Sequence, residues 1–160
     1  MRYFYLCFCL VFACLVNAQI INFPDANFKT KLLQANTAYD YLGNSLTIDA
    51  NNNGQIEVSE VQNVDRLNLS NSNISNLTGI SNFTNLKTLN CNYNSLTSIS
   101  INNSVSLMTL NAKYNALTSV NVNFAIMEVL DLSHNNLTTF TVANADFTDI
   151  FDLSYNHFRI

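Results

Sequence analysis

Apolar side chains return along this chain in one short phrase. Leu86, Leu89, Cys91 and Leu96 are separated by polar residues, with Asn94 set between the last two. The phrase recurs as Leu107, Leu110, Ala112, Asn115 and Leu117, and again as Met127, Leu130, Leu132, Asn135 and Leu137. Upstream, Val64, Leu67, Leu69, Ile74 and Leu77 match it with Ser72 in the asparagine place; downstream, Phe151, Leu153, Asn156 and Phe158 do so. Asn94, Asn115, Asn135 and Asn156 lie 21, 20 and 21 residues apart. A fixed period of this length means stacked coils that shelter one another, not a globule around one centre. The units run over 64–85, 86–106, 107–126 and 127–147, with a partial unit at 148–160.

Within each unit the apolar residues alternate with polar ones, the period of a strand with one buried face. So short a strand needs a neighbour, and stacking coils about 4.8 Å apart predicts a parallel sheet. The asparagine falls where the chain leaves the strand. Its amide offers two donors and an acceptor oxygen, enough to satisfy buried loop backbone at every coil, so its repetition predicts a ladder. Ser72 supplies less of that bonding, which suits a first coil. The second half of each unit carries its own apolar pair, Ile99 and Ile101, Val120 and Val122, Phe140 and Val142. Their β-branching predicts extended or 3₁₀ backbone opposite the sheet, not helix. Phe83, Val105, Ile126 and Phe147 are expected to close the coils. Gly79 is the only glycine after Gly54, so Asn and Ser must supply the turns.

This pattern resembles the bacterial leucine-rich repeat family, in particular the short, asparagine-rich, cysteine-containing repeats of secreted Bacteroidetes (flavobacterial) proteins. Residues 89–99, Leu-Asn-Cys-Asn-Tyr-Asn-Ser-Leu-Thr-Ser-Ile, carry the resemblance best. It covers residues 64–160, and a shared cap extends it to about residue 20. It implies an α/β repeat solenoid, a right-handed coil with a parallel sheet on the concave face and a small helical cap. It also implies a binding role toward other macromolecules.

Residues 1–18 read as a secretory signal. Arg2 gives a positive start, Tyr3 to Val16 an apolar run of 14 residues, and Val16-Asn17-Ala18 a small-residue site cleaved before Gln19. The run is short for a bilayer core of roughly 30 Å. Lipoprotein processing at Cys14 is the alternative, although Phe12 is bulky for that recognition. The expected address is secreted or at the outer cell surface. Cys7, Cys9 and Cys14 fall in the leader, which leaves Cys91 alone at an inward repeat position, a small buried hydrophobe.

Residues 19–63 are expected to cap the stack. Over 23–36, Pro24 suits a first helical position, Asp25 suits the positive end of the dipole, and Phe28, Leu32 and Leu33 share a stripe. The stretch 49–60 then fits a twelve-residue EF-hand-like calcium loop. Asp49, Asn51 and Asn53 stand at positions 1, 3 and 5, and Gly54 at the bend. Gln55 would offer its carbonyl, Glu57 would act through water and Glu60 would bind with both oxygens. Ile56 is expected to point into the core, and Glu60 to open a short helix through Val64. The alternative is a solvated acidic turn. Any Ca²⁺ there would be structural, with a dissociation constant on the order of 10⁻⁴–10⁻³ M.

After Ala18 there are six Lys and Arg against eleven Asp and Glu, a formal charge of −5. No basic face for nucleic acid is present, and no transmembrane span is predicted. The Asn-x-Ser/Thr sequons at Asn68, Asn73, Asn76, Asn82, Asn102 and Asn136 are read as products of composition. Two exposed columns are predicted along the sheet: Tyr93, Tyr114, His134 and Tyr155, and Asn68, Asn90, Asn111, Asp131 and Asp152. The rings either cover one another or, with the amides and carboxylates, form a recognition surface. His134 near Asp131 and His157 near Asp152 have no nucleophile at a fixed offset, and no phosphate loop or nucleophile elbow occurs, so no enzyme is expected. The reading is a non-catalytic binding module for protein recognition or adhesion. The alternatives are a calcium-stabilised carbohydrate-binding protein and a structural spacer. The stack also stops half a coil short at Ile160, so further repeats or self-association at that open end are expected.

Overall fold

The computed structural model describes residues 18–101, 106–122, 126–141 and 146–158. Residues 1–17, which hold all but Ala18 of the expected leader, lie outside the described residues, as do Asn102, Val105 and Val142. Among the described residues the elements are α1 (Ala26–Leu32), β1 (Ala38–Tyr39), β2 (Ser45–Leu46), α2 (Val58–Val61), β3 (Arg66–Asn68), a 3₁₀ turn (Ile80–Asn82), β4 (Thr88–Asn90), β5 (Ser98–Ile101), β6 (Thr109–Asn111), β7 (Ser119–Val122), β8 (Ile126–Asp131) and β9 (Asp146–Asp152). None of the helices is long and apolar enough to cross a membrane.

The repeated phrase makes a parallel β-solenoid. β3, β4, β6, β8 and β9 pair in that order, all parallel, and Leu67, Leu89, Leu110, Leu130 and Phe151 occupy one register row. Leu67, Leu89, Leu110 and Leu130 are essentially fully buried. Each such leucine contributes about 1.5–3 kcal/mol by leaving water. Successive coils are joined by backbone bonds such as Cys91 N–H to Asn111 O and Ala112 N–H to Asp131 O, 2.8 and 2.9 Å.

Opposite the sheet, the first coil uses the 3₁₀ turn and the next two use β5 and β7, paired in parallel from Ser98↔Ser119 to Ile101↔Val122. Extended and 3₁₀ backbone therefore both occur there. Ile99 and Ile101 are buried, whereas Val120, Val122 and Phe140 are only partly so.

Several boundaries differ from the sequence reading. Ile126 does not close its coil; it begins β8 and is half exposed, because the core position belongs to Met127. The fifth coil starts at Phe147, which pairs with Met127, and not at residue 148. An irregularity between Met127 and Val129 absorbs the extra residue, so Phe151 still meets Leu130.

The cap is less helical than its sequence suggests. α1 begins only at Ala26, with Asp25 as N-cap, so Pro24 precedes the helix instead of opening it. Leu33 falls past the last turn and is exposed, while Phe28 and Leu32 are buried. A β1–β2 hairpin then joins the main sheet, β1 pairing antiparallel with β3. The physical reason is that an edge strand offers unpaired N–H and C=O groups, and a strand satisfies them where a helix does not. Gly79, at φ +105°, lets Phe23 pack over the first coil: a Cβ there would lie 2.6 Å from Phe23 Cε1.

Candidate functional site

Two features carry the chemistry anticipated from the sequence: the loop over 49–60 and the columns on the sheet.

The loop folds around its own side chains. Asp49 accepts from Asn53 N–H and Gly54 N–H at 3.0 and 2.9 Å. Asn51 Oδ1 accepts from Asn53 N–H, and Asn53 Oδ1 from Gln55 N–H. Glu57 is buried, and its carboxylate takes the amides of Asn51 and Asn53 at 3.2 and 2.8 Å. The Asn53 amide, then a side-chain hydrogen bond with Glu60, lowers the Glu57 pKa below its ordinary value against the opposing effect of burial. Glu60 Oε1 accepts from Ala50 N–H, and Oε2 from Glu57 N–H. Glu60 thus sits at the third position of α2, whose N-cap is Glu57. It does not open a helix running to Val64, because the capping box starts the helix two residues earlier, at Val58, and the helix ends at Val61. Ile56 is buried as expected, and its carbonyl accepts from Ile21 N–H at 2.8 Å. Lys29 donates to Gly54 O at 2.8 Å.

The loop therefore assembles Asp49, Asn51, Asn53, Glu57 and Glu60, with Gln55 contributing its backbone. Its donors are all hard oxygens, the set a Ca²⁺ ion takes. Among the described residues, however, no group of three or more His, Cys, Asp or Glu is gathered so as to hold a metal. The Asn51 and Asn53 amide N–H groups face the Glu57 carboxylate instead.

On the sheet, both columns have structural work. Tyr93, Tyr114, His134 and Tyr155 all have left-handed backbone, φ between 53° and 55°. That conformation is uncommon for non-glycine residues. It turns each strand exit so that the N–H reaches the next coil, as in Tyr93 N–H to Lys113 O at 3.1 Å. The rings stack face to face, Tyr93 on Tyr114 at 4.5 Å, Tyr114 on His134 at 4.2 Å and His134 on Tyr155 at 4.1 Å. The tyrosine rings remain exposed in part, but the faces between them cover one another.

The neighbouring column shapes the same turns. Asn68, Asn90, Asn111, Asp131 and Asp152 each accept, through Oδ1, the N–H two residues on. These Asx turns deliver the chain to the left-handed residue. The bonds from the Ser154 backbone and hydroxyl lower the Asp152 pKa, with a smaller effect from nearby His134. Asp131 also meets Lys113 at 3.6 Å. The sequence reading gave this column a recognition role; its spacing two residues before a turn was the signal that the same side chains also shape the turns.

One residue had no such local signal. Asp25 caps α1 through Phe28 N–H and also accepts from Ser75 N–H, Ser75 Oγ–H and Asn76 N–H. Burial raises its pKa, but the four hydrogen bonds outweigh burial and hold it below the ordinary value.

No family model and no curated protein matches this chain. Among solved structures it is similar to one described as the structure of CBM51-2 in complex with GlcNAc and INT domains from Clostridium perfringens ZmpB. The identity is 25%, the TM-score 0.48, and the match covers 63% of this chain. The chain spans only 19% of that relative's length, and so loose a likeness transfers no function.

Proposed function

We propose that this chain is a non-catalytic, exported binding module of the leucine-rich-repeat type that recognises a protein partner through the outward face of its sheet. One observation supports the reading. Arg66, Thr88, Thr109, Val129 and Ile150 lie in one register row, and Asn68, Asn90, Asn111, Asp131 and Asp152 in a second. The inward neighbours of the first four coils, Leu67, Leu89, Leu110 and Leu130, are buried in one stack, so unlike outward groups are held at fixed spacing on a common support. Such a surface suits an extended macromolecular partner. The alternative, sugar stacking on the tyrosine column, is disfavoured by geometry, because the inner ring faces already stack on one another.

The test is site-specific photocrosslinking in extracellular extracts, with the crosslinker at Thr109 on the face or at Thr97 away from it. A discrete adduct from Thr109 alone is expected. Equal adducts from both positions, or none, would overturn the reading.

The cap loop is proposed to take a structural Ca²⁺ ion through Asp49, Asn51, Asn53, Glu57 and Glu60, with Gln55 offering its carbonyl. The ion would supply charge neutralisation for three carboxylates, and it would stabilise the folded cap by binding only that state. The Asn51 and Asn53 amides would have to turn away from Glu57 to present oxygen.

A further inference from the structure

A cleft of about 480 Å³ lies where the chain enters the strands, away from the rows used for the proposed function. We infer that this cleft, walled by the β1–β2 hairpin and by the residues leading into β3, β4 and β6, is a binding site for a neutral saccharide. Its size falls within the range of small-molecule sites.

The first argument is the hairpin. Tyr41 is 71% exposed. No ring partner accompanies it among the described residues. The turn that carries it is nevertheless fixed, because Asp40 accepts Leu42 N–H, Asn44 N–H and the Asn44 amide at 2.9, 2.8 and 2.9 Å, while Gly43 N–H reaches Asp40 O. The turn is thus strongly built, yet its aromatic residue buries little. An exposed ring carried on a fixed turn and lining a cleft is a stacking platform.

The second argument is the opposite wall. The Asn85 amide donates to Gln62 O at 2.7 Å, which fixes its side chain and leaves its Oδ1 as an acceptor. The Lys87 ammonium is held by Asp65 at 2.9 Å, which leaves two of its N–H donors. Asn63 is exposed and adds a donor and an acceptor. Donors and acceptors fixed opposite an aromatic ring suit a ligand with a flat apolar face and an equatorial rim of hydroxyls. That is the chemistry of a pyranose.

Charge selects the neutral class. The Lys87 charge is compensated by Asp65, and Asp40 adds a negative rim, so an anionic sugar would be repelled. The Asp40 oxygens are occupied by the turn and Asp65 by Lys87 and Arg66, so a cation finds no free carboxylate.

The probes are glucose, galactose, mannose and N-acetylglucosamine with their β-linked disaccharides, titrated into the mature protein by calorimetry and by ligand-observed magnetic resonance. At least one is expected to bind at millimolar concentration or better. Tyr41→Ala and Asn85→Ala should each weaken it roughly tenfold, since a stacked ring or a fixed hydrogen bond is of that size. Tyr114→Ala should leave it unchanged. No binding by any probe, binding that survives Tyr41→Ala, or tighter binding of sialyllactose, titrated as the anionic control, would each overturn the proposal. Because the crosslinking position Thr109 lies outside the cleft, failure here leaves the protein-recognition reading to its own test.

Discussion

The carboxylate of Asp25 receives the backbone N–H and the hydroxyl of Ser75 at 2.7 and 2.8 Å, across 50 residues of chain. One side chain thereby starts the cap helix and anchors it to the first coil. Asp25→Ala would leave the N–H groups of Phe28, Ser75 and Asn76 without their acceptor. A loss of about 2–3 kcal/mol is expected in urea unfolding, combining a lost N-cap with buried unsatisfied donors.

The same residue sets an acid limit. Its folded pKa lies below the ordinary 3.8, so its stabilisation is present above that value and disappears as pH falls through the folded pKa. Glu57, held below its ordinary 4.5, acts in the same direction. Midpoints of urea unfolding should therefore fall steeply only below about pH 4, and Asp25→Asn should flatten that fall. An unchanged acid limb in Asp25→Asn would show that other carboxylates govern it.

The asparagine ladder predicts a strong position dependence. Asn135 is buried, donates to Ala112 O, Leu132 O and Ser133 O, and accepts from Leu117 N–H. Asn135→Ala strands the Leu117 N–H and takes one of two donors from each of Ala112 O, Leu132 O and Ser133 O, so about 2–3 kcal/mol should be lost in equilibrium unfolding. Ser72, the first-coil counterpart, only donates to Ser70 O through its hydroxyl, and Ser72→Ala should cost less than about 1.5 kcal/mol.

At Tyr114 backbone strain and ring stacking oppose each other. Tyr114→Asn keeps a residue that tolerates φ near 53° but removes two stacking contacts, an expected loss of about 1–3 kcal/mol by thermal or urea melts. Tyr114→Val loses the same stacking and adds a β-branched side chain where it is least tolerated, so it should be clearly the worse of the two. Equal stabilities would mean that the turn relaxes when the ring is gone.

For the cap loop, millimolar Ca²⁺ should raise the melting temperature of the chain from Gln19 onward, with heat of binding seen by calorimetry. Glu60→Gln should remove both effects. A melt that calcium does not move would eliminate the site.

Cys91 is fully buried and its thiol is pushed up to about 12 by that burial. In the chain from Gln19 onward it should stay inert to a disulfide exchange reagent at neutral pH and react at once in denaturant. Rapid labelling of the native protein would contradict the stacked core around it.

The sequence by itself determined the winding. A leucine phrase with a period near 21 has no other way to hide its apolar face, so register, inward residues and the asparagine ladder were all legible from spacing. The buried place of Ile56 was legible too, because a twelve-residue loop acts over short range. Tertiary structure decided the rest. Whether Tyr114 faces a ligand or another ring depends on how closely coils stack, which no single coil encodes. Whether Asp131 binds or turns depends on where its strand ends. The bond from Asp25 to Ser75, the hairpin against β3 and the cleft under Tyr41 join segments whose meeting follows only once the coils are wound. Local pattern fixes periodic contacts, and the contacts that occur once depend on the assembled whole.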